Sequence, residues 1–450
     1  MKRLILAAAL VLAAAASAPA ANAAPWRQVT ASGGDSIDQV GLVRTSDGVL
    51  HVAWHKDGDL QHTAIAPNGK IGATAPIQSG WTGHMDPALT AVPGGIRVVW
   101  GAIRSTDTSD PNQDLNTALS TDGGASWQLT SGSIIPRGAQ AYGSDAAATT
   151  LPNGTVLEAW AGTLGTWVHS GLNPATPNFD YQSPLGPYGY NPGIASDAAG
   201  RAMMAWFSSG ARQLGVVAQG VNANGSPAGA AMTMPGSQVM QGGSSLAKTA
   251  IVARPDNGGF YVGYAIGYPT PNRVRVWRVG AGTARLIART DADSQVTLAA
   301  DPKGRIWAVW TDGTFGATHV LAARSNPEAT RFGAYVNAGA VRDAHSTYSV
   351  DASATARALD ILALFGTGNS SGGATYVKRI KPGLTLKARK HNGRVTFTVT
   401  DAGDPVRGAK VRLGGESGKT NGRGRVTLDF KRGKAKATAA GYAPAKRRIK

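Results

Sequence analysis

Along most of the chain, short runs of alternating apolar residues follow a turn that contains glycine. The clearest copy reads Asp301-Pro302-Lys303-Gly304-Arg305-Ile306-Trp307-Ala308-Val309-Trp310. Successive strand residues face opposite sides, so Ile306, Ala308 and Trp310 share one face. A glycine turn ahead of such a run predicts the return arm of a β-hairpin. The pattern recurs: Asp47-Gly48 leads to Trp54, Gly94-Gly95 to Trp100 and Asn153-Gly154 to Trp160. Gly200 leads to Trp206, Asn257-Gly258 to Tyr264, and a worn copy near Arg357 to Phe365.

The aromatic anchors at 54, 100, 160, 206, 264, 310 and 365 are spaced 46 to 60 residues apart. A repeat of roughly 40–50 residues built from short strands is the pattern of a β-propeller blade, so the expected fold is all-β. The last copy offers strands near Tyr348–Ser353, Ala358–Phe365 and Thr375–Ile380, one short of a four-stranded blade. The isolated strand Trp26–Thr30 can supply the fourth, and such closure removes exposed sheet edges. This favours seven blades over residues 24–380. Six blades stay open, because the seventh copy is worn.

Residues 1–23 read as a secretory signal peptide: Lys2-Arg3, an apolar run from Leu4 to Ala16, and the small-residue site Ala21-Asn22-Ala23. The mature chain is then expected to start at Ala24 and to be secreted or held at the cell surface. No other stretch approaches the roughly 20 apolar residues of a membrane span. The absence of cysteine excludes disulfides and thiolate metal sites.

The net charge of +18 is concentrated at one end. From Lys378 to Lys450 there are 21 Lys/Arg against Asp401, Asp404, Glu416 and Asp429, so the repeat region is near neutral. In residues 381–450 strands are expected over Gly393–Val399, Ala409–Leu413, Thr420–Leu428 and Ala435–Ala439. The markers Val406-Arg407-Gly408-Ala409-Lys410-Val411, the Asn421-Gly422 turn and the closing Ala440-Gly441-Tyr442 resemble carboxypeptidase-regulatory-like and bacterial immunoglobulin-like β-sandwiches.

The sharpest motif is Ser120-Thr121-Asp122-Gly123-Gly124-Ala125-Ser126-Trp127. Asp122 can accept N–H bonds across the turn, the two glycines permit positive φ, and Trp127 can plug the space between sheets. With Ser120, Asp122, Gly124 and Trp127 in place, it resembles the Asp box of sialidases. The resemblance implies a structural role for this motif, away from any catalytic face. It also implies requirements for sialidase activity: an arginine triad, a Tyr–Glu nucleophile pair and an Asp acid. The stretch Asp38-Gln39-Val40-Gly41-Leu42 lacks the first arginine, and Arg44 lies later, by the turn. Glu158 falls in a core strand and Glu328 in a loop. Tyr142, Tyr188, Tyr190, Tyr268 and Tyr348 show no Glu partner in the sequence.

Propeller ligands bind at the central mouth. About 15 residues before each anchor lie Asp38, Asp86, Asp145, Asn191 and Gln295, which either converge on the axis or each cap their own blade. Asp107 to Asp114 has calcium-like oxygen spacing but lacks the glycine and late glutamate of a calcium loop. The eight histidines show no HExxH-type pairing, so no metal and no cofactor is expected. Trp81, Trp167, Tyr188 and Tyr190 could stack on sugars or fill space between blades.

Three functions remain: non-catalytic recognition of an extracellular glycan or protein, exo-acting glycoside hydrolysis, and a purely structural surface role. The basic end points to an anionic surface polymer or headgroup rather than to nucleic acid, because its charges are spread over both faces of the expected strands.

Overall fold

The computed structural model describes residues 25–30, 39–56, 58–103, 114–129, 144–162, 165–170, 180–182, 189–210, 214–239, 248–267, 272–290, 295–313, 318–367 and 373–450. Among these residues there are strands and turns and no helix. No described helix is long and apolar enough to cross a membrane.

Residues 27–380 form seven successive four-stranded antiparallel sheets. Their inner strands are Gly41–Arg44, Thr82–Val92, Ser144–Thr150, Gly189–Ser196, Ala250–Ala253, Val296–Ala300 and Ala344–Ala354. Each packs beside the next, and the last returns to the first. A ring of sheets placed this way is the arrangement of a β-propeller. The seventh sheet draws on both ends of the region. Arg27–Gln28 pairs antiparallel with Gly373–Ile380, with Arg27 opposite Val377. Beside this pair, the Trp26 ring stands edge-on to Phe365 with centroids 5.0 Å apart.

All seven aromatic anchors sit on the second strand of their sheet, and all are buried. Each plugs the gap to the preceding sheet. Trp100 packs with Ala53 and Leu60 of the first sheet, and Trp206 with Leu157 and Val168 of the third. Phe365 packs with Val309 and Val320 of the sixth. Trp54 closes the cycle against Leu362 and Val377 of the seventh. The core is therefore a series of inter-sheet layers, and truncating one anchor to alanine costs about 3–5 kcal/mol. One layer also buries charge. Arg97 of the second sheet has Glu158 of the third as its charge partner, while burial pulls the guanidinium pKa down.

The Ser120–Trp127 turn joins the third and fourth strands of the second sheet. Gly123 and Gly124 take φ of 73° and 92°. Asp122 accepts from Ser120 Oγ at 2.8 Å and from Ser126 N–H at 2.9 Å, and Ser120 Oγ accepts the Gly124 N–H at 2.8 Å. These bonds hold the Asp122 carboxyl far below the usual carboxylate range, Ser126 contributing most. Trp127 stands edge-on to His62 of the first sheet, centroids 5.4 Å apart.

Residues 385–449 form two further four-stranded sheets around a single core that includes Phe397, Val399, Val411, Leu413, Ala435 and Ala437. Besides the two-residue Asp404–Pro405, three of their strands, Thr385–His391, Glu416–Lys419 and Ala445–Ile449, lie outside the sequence expectation. All three run at sheet edges or carry mostly exposed polar residues, so the apolar alternation that marks a strand is thin there.

This module packs onto the sixth sheet. Arg324 and Arg305 both reach Asp401, Arg305 at 3.5 Å. Arg305 also meets Asp404 at 3.0 Å. The Arg324 guanidinium lies over Trp307 on one side and Tyr442 on the other, 5.6 and 5.9 Å from the ring centroids. Arg305 follows the turn that ends the inner strand Val296–Ala300, whereas Gln295 precedes the same strand. The module is thus attached at the opposite end of the sheet from the mouth positions.

Candidate functional site

Asp86, Asp145 and Asn191 occupy equivalent places near the start of three successive inner strands. Each has positive φ, 46°, 57° and 53°, and each lies where the pairing register shifts by a bulge. Asp and Asn tolerate this left-handed conformation better than other side chains. The bulge turns the carboxylates toward neighbouring sheets. Asp86 accepts the backbone N–H of Gln39 in the first sheet at 3.1 Å and of Asp145 in the third at 2.8 Å. Asp145 accepts the N–H of Asn191 in the fourth sheet at 3.3 Å, and the Asn191 carbonyl accepts the N–H of Thr249 in the fifth at 2.7 Å.

A belt of hydrogen bonds thus links the first five sheets around the axis. These residues thus bond to the blades on either side. Farther round, Gln295 Nε2 donates to the Tyr348 carbonyl of the seventh sheet. Asp38, the fifth mouth position, lies outside the described residues.

Among the described residues the belt has two intervals without such a link, between the fifth and sixth sheets and between the seventh and first. Lys248 and Asp351 stand beside these intervals, Nζ and Oδ2 3.9 Å apart. Asp351 also accepts from Thr297 Oγ1 at 3.1 Å and from the Ala352 N–H at 2.7 Å. Lys248 and Asp351 both line an axial cavity of about 160 Å3. All seven inner strands line it, through Leu42, Leu89, Ala147, Ile194, Ile251, Leu298 and Asp351 among others. Most of the lining residues are small and apolar, but polar atoms make up most of its exposed surface, with Lys248, Thr249, Thr297 and Asp351 as the polar side chains.

The sequence offset reaches this pair, since about 15 residues before Tyr264 and Phe365 fall Lys248-Thr249 and Val350-Asp351.

The other candidates are placed elsewhere. Arg44 ends its inner strand away from the mouth, where Nη2 pairs with Asp360 at 2.5 Å. Glu328 accepts from Asn326 Nδ2 at an outer turn. Trp81 stacks on Trp100 at 6.1 Å in the first inter-sheet layer. Tyr190 is exposed on the fourth inner strand. Tyr142, Tyr188, Tyr268, the Trp167 side chain and residues 107–113 lie outside the described residues. Among the described residues no group of three His, Asp or Glu is placed to hold a metal ion.

No family model and no curated protein matches the chain. Solved structures similar to it include a protein of unknown function from Dyadobacter fermentans, at 11% identity over 79% of this chain and 99% of that one, with a TM-score of 0.44. An ulvan lyase bound to a GlcA–Rha3S saccharide is 9% identical over 79% and 95%, TM-score 0.48. An α-L-arabinanase from Penicillium chrysogenum complexed with arabinobiose is 10% identical over 80% and 98%, TM-score 0.41. At these scores the likeness is one of chain course and carries no chemistry across.

Proposed function

We propose that this is an exported seven-bladed propeller of the Asp-box kind with a C-terminal β-sandwich, and that it recognises an extracellular glycan without cleaving it. What supports this is the Lys248–Asp351 pair in the lining of the axial cavity. The ammonium suits a carboxylate or other anionic substituent, and the carboxylate suits a neighbouring hydroxyl. A cavity of about 160 Å3 has room for about five waters, so it fits a terminal unit and not a polymer.

Glycoside hydrolysis asks for two carboxylates roughly 5–9.5 Å apart across a bond. Among the described residues Asp351 is the only carboxylate lining the cavity. Asp86 and Asp145 are engaged with backbone N–H groups of neighbouring sheets.

The test is a glycan-array screen of the full chain and of the Lys248→Ala and Asp351→Asn variants, at low and high salt. Binding that survives salt and is lost in both variants supports the reading. Salt-resistant binding unchanged in both variants overturns it, as does release of a cleaved sugar by the wild type.

A further inference from the structure

The two sheets of the C-terminal module present different outward faces. On the sheet containing the Arg394–Asp429 pair, the outward cations Lys387, Arg389, Arg394 and Arg425 are interleaved with Thr396, Thr398 and Thr427, and Asp429 supplies an acid. The sheet made of Glu416–Lys419, Lys410–Leu413, Gly433–Thr438 and Ala445–Ile449 is different. Alternation buries Val411, Leu413, Ala435 and Ala437 and turns their neighbours outward. In one cross-strand row Arg412, Lys436 and Lys446 lie directly opposite one another. In the next rows Lys410 faces Lys419, and Lys434 faces Arg448. All seven are exposed. None makes an ion pair among the described residues, and this face carries no carboxylate. Cations thus line the outward side of both sheets, as the sequence implies, but only this face has no acid among them.

Like charges directly opposite across strands destabilise a sheet. Seven cations held on a grid with no acid among them gain no ion-pair stabilisation from one another. They form a rigid lattice of positive charge, about 4.8 Å between strands and about 7 Å between same-face residues along a strand.

We infer that this face binds a linear phosphodiester polymer with small polyol units. This rests on reading the module as the end of the protein that attaches to an anionic surface. Charge complementarity requires a polyanion. Five of the seven cations are lysines, which suit singly charged phosphodiesters as point charges and do not select planar, bidentate groups. The outward positions hold only Lys, Arg, Ser and Thr, so there is no aromatic platform for stacking nucleobases. For the same reason there is no apolar side chain to enter a bilayer.

The experiment uses the full chain and synthetic poly(glycerol phosphate). The variants are Lys436→Glu, on the cation face, and Arg389→Glu, on the other sheet, which change net charge equally. Lys436→Glu is expected to weaken binding about tenfold and to lower the salt dependence, while Arg389→Glu changes affinity less than about twofold. Lys436→Glu is also expected to raise the melting temperature, because it places an acid between Arg412 and Lys446.

Equal losses in both variants, or no binding by the wild type, overturn the inference. So does tighter binding to heparin, to oligothymidylate or to phosphatidylglycerol vesicles than to the polymer. Lys248→Ala is expected to leave polymer binding unchanged. Failure of the cavity reading and failure of the cation-face reading are thereby told apart.

Discussion

His51 Nδ1 lies 3.0 Å from His62 Nε2, and the two rings are stacked on the second and third strands of the first sheet, facing the Ser120–Trp127 turn. Thr45 Oγ1 reaches the far side of His51 at 3.2 Å. Burial pushes both imidazoles down, His62 to about 4, with the neighbouring ring adding to the shift. The neutral form is therefore the folded form. Its stabilisation is complete above the unfolded value near 6.5 and drains away as pH falls toward 4. For His62 this amounts to about 3 kcal/mol. Denaturant unfolding of the wild type should show this loss between pH 6.5 and 4, and His62→Gln should flatten it.

Gly124 is expected to tolerate no side chain. A Cβ there would stand 2.0 Å from His62 Cε1, and its φ of +92° strains any L-residue. Gly124→Ala should destabilise by roughly 1–3 kcal/mol from the backbone alone, with further loss from displacing His62. Thermal melting measures it, and the His51–His62 pH dependence should weaken in the same variant.

Asp86→Ala leaves two backbone N–H groups, of Gln39 and Asp145, without their carboxylate. At about 1–3 kcal/mol for each buried group left unsatisfied, the expected loss is about 2–6 kcal/mol. Asp86→Asn keeps one acceptor oxygen and should lose about half as much. Urea unfolding of the three proteins orders them.

These examples mark what the sequence could reveal. The anchors were legible because each inter-sheet layer needs one large aromatic, and Trp54 through Phe365 recur with the repeat. The belt was not, since its bonds join residues 46 and 59 positions apart in successive blades. Asp86 and Asp145 read as ligand-binding or self-capping residues until the bulges show where the carboxylates turn. Lys248 and Asp351 lie near the same offset, but Lys248 is a cation unlike the Asp/Asn type at the other mouths, and Asp351 follows a worn copy whose exact offset falls on Val350. In the module, Lys and Arg outnumber apolar residues in strands such as Ala445–Ile449, so alternation alone did not mark them.

Asp401→Ala removes the shared partner of Arg324 and Arg305 and leaves Arg324 buried. Breaking a buried pair this way costs about 3–5 kcal/mol. Asp404→Ala, at the half-exposed rim, should cost less than about 1 kcal/mol. Hydrogen exchange across residues 401–404 and 439–444 should rise sharply in the first variant only.

The pairing of Arg27–Gln28 with Gly373–Ile380 also sets an order in time. Its partners lie about 350 residues apart, and contacts that distant form late because a long loop must close first. During synthesis the strand made first waits for the one made last. Until then the seventh sheet keeps an open edge and Trp26 has no Phe365 to meet. The interval before closure is when the chain is most exposed to wrong partners, and its length is set by the speed of elongation rather than by the stability of any blade.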